Sequence, residues 1–235
     1  MNNHNFITLP VADGTEMDAY IALPDGQQSF PAIILLQEAF GVNNHIRNIA
    51  ERLCKEEYAV IAPDLFHRTA KRLEIDYKDF AAAKPHFQGI NKEGLAADLK
   101  ASYAWLQQQQ NIIIEKTGSI GFCLGGRVSF VANTVLPLAA AVSYYGGGLD
   151  TLANEAVNMH APHLFFWGGK DTHITQDKID TIINAVKGAG KDYINTVISY
   201  ADHGFHCDER SSYQPLAAKE AWATTLAFFE NRLKQ

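Results

Sequence analysis

The sequence predicts a single α/β domain: a doubly wound, mostly parallel sheet with helices on both faces and an antiparallel hairpin at its N-terminus. Short apolar runs alternate with longer helix-type patterns from end to end. Several of these runs are apolar on both faces, as buried strands of parallel sheets are. The 235 residues, 47% of them hydrophobic, can form one sizeable core, and we assign residues 1–235 to one domain.

The predicted elements follow in chain order. An alternating segment with an Asp-Gly turn, residues 6–24, predicts the hairpin. Further strands are predicted at residues 30–37, 58–64, 117–122, 138–146, 161–168 and 194–200. Helices are predicted around residues 44–57, 91–110, 125–134, 175–188 and 215–233. Residues 64–92 carry weak strand signals, and we interpret them as an insertion over the sheet edge.

Composition excludes several classes of partner. The net charge is -6 and no block of Lys or Arg is present, so nucleic acid is not an expected partner. The N-terminus lacks the pattern of a signal peptide, and no apolar run approaches the roughly 18 residues of a membrane span. We therefore expect a cytoplasmic protein with no membrane partner. The three cysteines are odd in number and lack metal-type spacing, which disfavours a disulfide framework and a zinc site.

The segment GFCLG, residues 121–125, joins a predicted strand to a predicted helix. It matches the G-x-S-x-G nucleophile turn with Cys123 in place of serine. Glycines allow a strained turn there, and the N-terminus of the following helix favours a thiolate. Two other interpretations stay open: an inert, buried cysteine, or a phosphate-binding loop, although the usual phosphate-loop patterns are absent.

A base and an acid are expected in loops after later strands. His203 follows strand 194–200 and is the predicted base, with His206 and His173 as competing candidates. A metal pair of His203 and His206 is disfavoured, because no third ligand stands at a metal-type spacing. Asp171 ends the Gly-Gly turn after strand 161–168 and is the predicted acid. The chain order is then nucleophile, acid, base, as in α/β-hydrolases.

Two alternatives concern the acid. Asp202 and Asp208 are nearer to His203 in sequence, but they belong to its own loop, where a neighbour seldom points into the imidazole ring. Asp171 itself has a structural alternative as a helix N-cap.

Six blocks resemble the signature of the dienelactone hydrolase family, within the α/β-hydrolase superfamily. They are QEAFGVN (37–43), APDLF (62–66), GFCLGGR (121–127), SYYGG (143–147), GGKD (168–171) and ADHGF (201–205). The resemblance implies the α/β-hydrolase fold and hydrolysis of a carboxylic ester or lactone through a Cys-His-Asp triad and a thioester, without a cofactor or a metal. We expect a small-molecule ester or lactone as partner, and a monomer or small homo-oligomer.

The resemblance also implies roles around the triad. Glu38 stands where the family has a glutamate that contacts the thiol in the resting enzyme; an ordinary exposed residue is the alternative. The backbone amides of Leu124 and Ala39 would form the oxyanion hole. Phe40, Tyr145 and Phe205 flank these positions and are predicted to line an apolar pocket, with the core as the alternative.

One departure concerns the substrate. Family members that act on carboxylated dienelactones grip the carboxylate with arginines, one of them shortly after the catalytic histidine, but Cys207 stands there in this chain. Dienelactone itself is therefore not the expected substrate. The candidate replacement cations are Arg68, Arg72, Lys84 and His206, with Arg210 further on.

A protein without hydrolytic activity is the alternative function. On the same scaffold, Cys123 would sense oxidants or help to bind a ligand. Cys54 and Cys207 are not obviously placed to resolve a sulfenic acid, which counts against redox sensing.

Overall fold

A computed structural model describes residues 5–235, which form one eight-stranded sheet and its covering helices. The strands are β1 (Phe6–Pro10), β2 (Glu16–Ala22), β3 (Phe30–Leu36), β4 (Ala59–Pro63), β5 (Ile112–Phe122), β6 (Ala140–Tyr144), β7 (His163–Gly168) and β8 (Tyr193–Ile198). The α-helices are α1 (Asn44–Lys55), α2 (Phe80–Gln88), α3 (Lys92–Gln107), α4 (Leu124–Val135), α5 (Gln176–Gly188) and α6 (Pro215–Leu233). A 3₁₀ helix spans Leu149–Asn158.

The strand order is β1-β2-β4-β3-β5-β6-β7-β8. β1 and β2 form an antiparallel hairpin and β2 is antiparallel to β4, whereas every other pair is parallel. The chain moves outward in one direction from β3 to β4 and in the other from β5 to β8. The connections after β3 and β5 therefore diverge, which opens a crevice at the carboxyl ends of these two strands. The predicted fold class is confirmed.

Helices cover both faces of the sheet. Because successive strand residues point to opposite faces, the uniformly buried β3 contributes to two cores. Ile33 and Leu35 pack in one core with α1 and α6, and Ile34 packs in the other with α3 and α4. Each such side chain stabilises the fold by about 1.5–3 kcal/mol through burial. The carboxyl ends of the strands are thereby fixed from both sides.

The segment 64–92 is an exception to the sequence interpretation. It contains α2, which begins after Asp79, whose side chain accepts a hydrogen bond from the Ala82 amide. Ala83 packs in a small core with Ala39 and Phe40, the residues that follow β3. The second half of this segment therefore covers the carboxyl end of the sheet rather than its edge. The first half does contact the hairpin at the sheet edge, through Arg68 to Asp13 and Arg72 to Asp18.

Two further elements differ from the sequence prediction. β5 begins at Ile112, five residues earlier than predicted, because Ile112 already pairs with Phe30 of β3 across a register shift. The 3₁₀ helix at Leu149–Asn158 was not predicted. Among residues 5–235, no helix is long and apolar enough to cross a membrane.

Candidate active site

Cys123 lies at a strained turn between β5 and α4. Its φ of 54° and ψ of -113° place a residue with a side chain in a region that few such residues adopt. The Cys123 amide donates to the carbonyl of Tyr144 at 3.0 Å, which fastens the turn to the end of β6. On the other side, Gly121 pairs with Leu36, so the turn lies beside the loop that follows β3.

Two glycines are required at this turn because backbone atoms occupy the space of a side chain. A Cβ on Gly121 would lie 1.9 Å from the carbonyl oxygen of Gly125. A Cβ on Gly125 would lie 2.0 Å from the carbonyl oxygen of Leu36. The glycines of the motif therefore let α4 start directly against the end of β3.

Replacing Gly125 with alanine is expected to lower the free energy of unfolding by about 3 kcal/mol, at the upper end of the cost of overpacking, since the backbone of Leu36 cannot give way. Denaturant unfolding measures the change. Gly188→Ala is the matched control, because no atom lies within 4 Å of its new Cβ. A loss no larger than that of the control would contradict the close approach.

Cys123, His203 and Asp171 form one hydrogen-bonded chain. Nε2 of His203 lies 3.2 Å from Sγ of Cys123, and Nδ1 of His203 lies 2.7 Å from Oδ2 of Asp171. The other oxygen of Asp171 accepts from the amides of His173 (2.8 Å) and Ile174 (3.1 Å). The carboxylate is therefore fixed on one side by the backbone and presents its second oxygen to the imidazole.

The Gly-Gly turn before Asp171 places the acid against the loop of the histidine. The Lys170 amide donates to the Ala201 carbonyl at 2.8 Å. A Cβ on Gly168 would lie 2.8 Å from the carbonyl oxygens of both Ala201 and Asp202, and one on Gly169 would lie 2.6 Å from Cα of Ser199. Only glycine allows the two loops to approach this closely.

The electrostatics favour a charged imidazole. Burial lowers the pKa of His203, but the negative charge of Cys123 and the hydrogen bond to Asp171 outweigh burial and raise this pKa to about 10. For Asp171, burial raises the pKa, and the hydrogen bond and charge of His203 lower it below its ordinary value. At neutral pH the raised pKa of His203 favours the imidazolium, and the lowered pKa of Asp171 favours the carboxylate.

The side chains of the competing candidates are not part of this hydrogen-bonded chain. His173 is 6.3 Å from His203 between ring centroids and contacts it edge-on. Asp202 accepts from the His203 amide, and Asp208 contacts Nδ1 of His45. Asp171 does not cap α5, because the N-cap residue is Thr175.

Glu38 is fully buried, which excludes the interpretation as a surface residue. The Tyr77 hydroxyl donates to its Oε2 at 2.8 Å, and Nη1 of Arg210 donates to its Oε1 at 3.1 Å. The expectation of a contact with the thiol is not met, because the hydrogen-bond partner of Cys123 Sγ among residues 5–235 is His203. An arginine and a tyrosine hold the Glu38 carboxylate instead.

The amides predicted for the oxyanion hole belong to neighbouring residues. Leu124 is the first residue of α4, where a backbone amide has no acceptor within the helix. Ala39 follows β3 and is buried. The Leu124 side chain packs against the cluster of Ala39 and Phe40, so the two loops are in contact.

Three of the predicted substrate-binding residues are misplaced for that role. Arg68 donates to both oxygens of Asp98 at 2.8 Å and to Asp13 at 2.7 Å, so its guanidinium is already occupied. The competing candidate Arg72 is paired with Asp18 and lies over the Phe6 ring. His206 is buried in the core between Phe122, Tyr144 and Trp222. The third misplaced residue is Phe205, which is fully buried and packs on the Tyr145 ring.

Two predicted aromatic residues do border the triad and the Glu38 carboxylate. The Tyr145 ring lies 5.1 Å from the His203 ring, and its buried hydroxyl has no hydrogen-bond partner in residues 5–235. Phe40 is buried against Tyr77, with ring centroids 4.6 Å apart. Lys84 is exposed on α2.

Sequence reasoning missed Tyr77 and placed Arg210 last among the cations. Burial lowers the pKa of Arg210, but the charges of Glu38 and Cys123 outweigh it and raise that pKa. Its guanidinium lies 5.7 Å from the Phe40 ring and 5.8 Å from the Tyr77 ring. Neither Tyr77 nor Arg210 lies in a recognised motif. The only signal in the sequence that could have led to them is Glu38, the carboxylate that both contact.

A strained cysteine turn, an imidazole and a buried carboxylate on this order of strands define an α/β-hydrolase with cysteine at the nucleophile position. The model of the dienelactone hydrolase family matches residues 17–233. The chain belongs to the dienelactone hydrolase family.

Relatives match over almost their whole length. A protein of Synechocystis sp. named "Putative carboxymethylenebutenolidase" is 32% identical, covering 97% of this chain and 96% of the relative. A Yersinia pestis protein of the same name is 34% identical over 94% of this chain and 86% of its own. The crystal structure of the "Putative Dienelactone Hydrolase" from Klebsiella pneumoniae has a TM-score of 0.86 and 32% identity, covering 95% of this chain and 96% of that one.

Proposed function

We propose that the chain hydrolyses a carboxylic ester or lactone with Cys123 as nucleophile, His203 as general acid and base, and Asp171 as the group that orients the imidazole. Family membership makes the chain a hydrolase of the ester- and lactone-cleaving class. The contact between Sγ of Cys123 and Nε2 of His203, at 3.2 Å, carries the assignment of these residues.

Acylation starts from the imidazolium form of His203, which its raised pKa favours. The Cys123 thiolate attacks the acyl carbon, and the carbonyl electron pair moves to the oxygen, where the amides of Leu124 and Ala39 stabilise the negative charge. When this pair returns, the bond to the alcohol oxygen breaks, and the leaving alkoxide takes the proton from Nε2 of His203. A thioester on Cys123 and a free alcohol result.

Deacylation reverses the role of the imidazole. Neutral His203 takes a proton from water as the hydroxide forms a bond to the thioester carbon. The tetrahedral intermediate then collapses and expels the Cys123 thiolate, which again faces an imidazolium. Asp171 keeps the Nδ1 proton of His203 fixed throughout, because its Oδ2 accepts that hydrogen bond in both steps.

Arg210 is the cation that this site offers to a substrate carboxylate. It is already paired with Glu38, but a guanidinium has five N–H donors, and the Arg210–Glu38 contact within hydrogen-bond distance uses one of them. Arg68 and Arg72 are tied to carboxylates of their own. We therefore propose that a substrate that carries a carboxylate in addition to its ester or lactone group is bound through Arg210.

A panel of esters and lactones, each with and without an additional carboxylate, tests the proposed function and this specificity together. Arg210→Lys keeps the positive charge opposite Glu38 and removes the planar guanidinium that can bind a carboxylate through two hydrogen bonds. It is expected to lower kcat/KM for the carboxylated substrates roughly tenfold or more, with a much smaller effect on neutral ones. Arg68→Lys is the matched control and should affect neither set. Equal losses on both sets would assign Arg210 to structural support alone.

The redox-sensing alternative has no specific support. It needs a second thiol to resolve an oxidised Cys123, whereas the hydrogen-bond partner of the Cys123 sulfur in the described chain is an imidazole. A thiol that alkylates rapidly at neutral pH in a protein that hydrolyses no member of the panel would favour that alternative.

A further inference from the structure

Three buried side chains outside the triad converge from separate segments of the chain. They are Glu38 after β3, His45 in the first turn of α1, and Cys207 in the loop beyond the histidine base. One ligand atom from each lies within 4.8 Å of the other two. We propose that Glu38, His45 and Cys207 form a zinc-binding site beside the active site.

His45 supplies the independent observation that points to a ligand. Its Nδ1 lies 3.3 Å from Oδ1 of Asp208, and its Nε2 is buried without a hydrogen-bond partner in residues 5–235. A carboxylate at Nδ1 fixes the proton on that nitrogen, so that Nε2 presents a lone pair. A buried lone pair without a donor is costly to leave unused, and a metal ion would use it.

The donor set selects the metal. A thiolate, an imidazole and a carboxylate are the three ligand types that zinc takes, whereas calcium and magnesium prefer oxygen alone. Two anionic ligands balance the charge of a divalent ion. Three protein ligands leave the fourth tetrahedral position open to water. The proton of the Cys207 thiol would leave to the solvent on binding.

Glu38 can bind the ion without leaving its present partners. A carboxylate has about four acceptor positions, and hydrogen bonds from Tyr77 and Arg210 use two of them. The site would thus share one carboxylate with the residues around the triad. Any effect of zinc on hydrolysis rests on the proposed function, so the test must detect the metal directly.

Cobalt(II) titration of the Cys123→Ala protein provides this test. The substitution removes the Cys123 thiol, which also lies beside a histidine, so a thiolate band cannot come from it. It also removes the proposed nucleophile, which makes the result independent of hydrolysis. We expect one equivalent of Co²⁺ to give a thiolate charge-transfer band and the visible bands of a tetrahedral site, and zinc to displace it. Adding Cys207→Ser or His45→Gln should abolish the charge-transfer band or weaken binding at least tenfold.

Two further variants sharpen the assignment. Asp208→Asn should lower the affinity for zinc roughly 10–100-fold, as the loss of a carboxylate behind a ligating histidine does. Cys54→Ser removes a cysteine outside the cluster and should leave the cobalt spectrum unchanged.

Several results would overturn the proposal. One is the absence of stoichiometric binding of Co²⁺ or Zn²⁺ to the Cys123→Ala protein, as expected for a cluster that holds only water. Another is a charge-transfer band that stays unchanged after Cys207→Ser. Circular dichroism verifies folding, and if the Cys207→Ser protein is unfolded, an unchanged titration of His45→Gln overturns the proposal on its own.

Discussion

Replacing Cys123 with alanine is expected to lower kcat for a short-chain chromogenic ester by a factor on the order of 10⁴ or more, because the proposed acyl intermediate forms on its sulfur. The fold should stay intact, since the turn depends on Gly121 and Gly125 rather than on the sulfur. Steady-state kinetics and thermal unfolding measure the two quantities in the same preparation.

Cys54→Ala is the control for this experiment, because Cys54 is half-buried in α1 and is not part of the hydrogen-bonded chain. It should retain nearly full turnover. Cys123→Ser is expected to be poor as well, since an alcohol is a much weaker acid than a thiol and is harder to deprotonate for attack. A Cys123→Ala enzyme within tenfold of the natural one would exclude this sulfur as the nucleophile.

Asp171→Asn is expected to lower kcat by a factor on the order of 10³–10⁴, the loss seen when the acid of a serine triad is changed in this way. The geometry gives the reason. Oδ1 of Asp171 accepts from two backbone amides, so an asparagine must keep its oxygen there and turn its NH₂ group towards Nδ1 of His203. The imidazole is then forced to carry its proton on the wrong nitrogen.

The pH profile separates this effect from a general loss of structure. The pKa of His203, raised to about 10, keeps the imidazolium present below that pH, so kcat/KM of the natural enzyme should fall as the pH rises through about 10. Without the Asp171 carboxylate the pKa of His203 is lower, and this limb should move to lower pH. Spontaneous ester hydrolysis is subtracted at each pH. Asp202→Asn, changed in the same loop as His203, should keep both the rate and the limb, and an unmoved limb in Asp171→Asn would contradict the orienting role.

The positions of the core strands along the chain were predictable from the sequence because buried parallel strands carry continuous apolar runs, as in β3 and β7. The beginning of β5 was not, since the half-exposed residues 112–116 lack that signal and are recruited by pairing with β3. α2 was not predicted because it contains Pro85, and a proline inside a segment counts against a helix.

The proximity of Cys123, His203 and Asp171 was predictable because each follows a strand, and the sheet brings the carboxyl ends of parallel strands to one edge. The partners of Glu38 were not, because a buried carboxylate takes whichever donors tertiary packing brings to it, here from residues 39 and 172 positions away. Arg68 shows the converse. Its place in the 64–92 segment suggested a role in binding a substrate carboxylate, but Asp98 and Asp13 already pair with its guanidinium.

The long separation between Cys123 and His203 affects the nascent chain. The cysteine leaves the ribosome 80 residues ahead of its base, and Glu38 leaves 172 residues ahead of Arg210. At about 5–20 residues per second, roughly 4–16 seconds pass before the imidazole arrives. During synthesis the Cys123 thiol has no imidazole beside it, so the contact between Sγ of Cys123 and Nε2 of His203 forms only once the C-terminal part of the chain has folded onto the sheet.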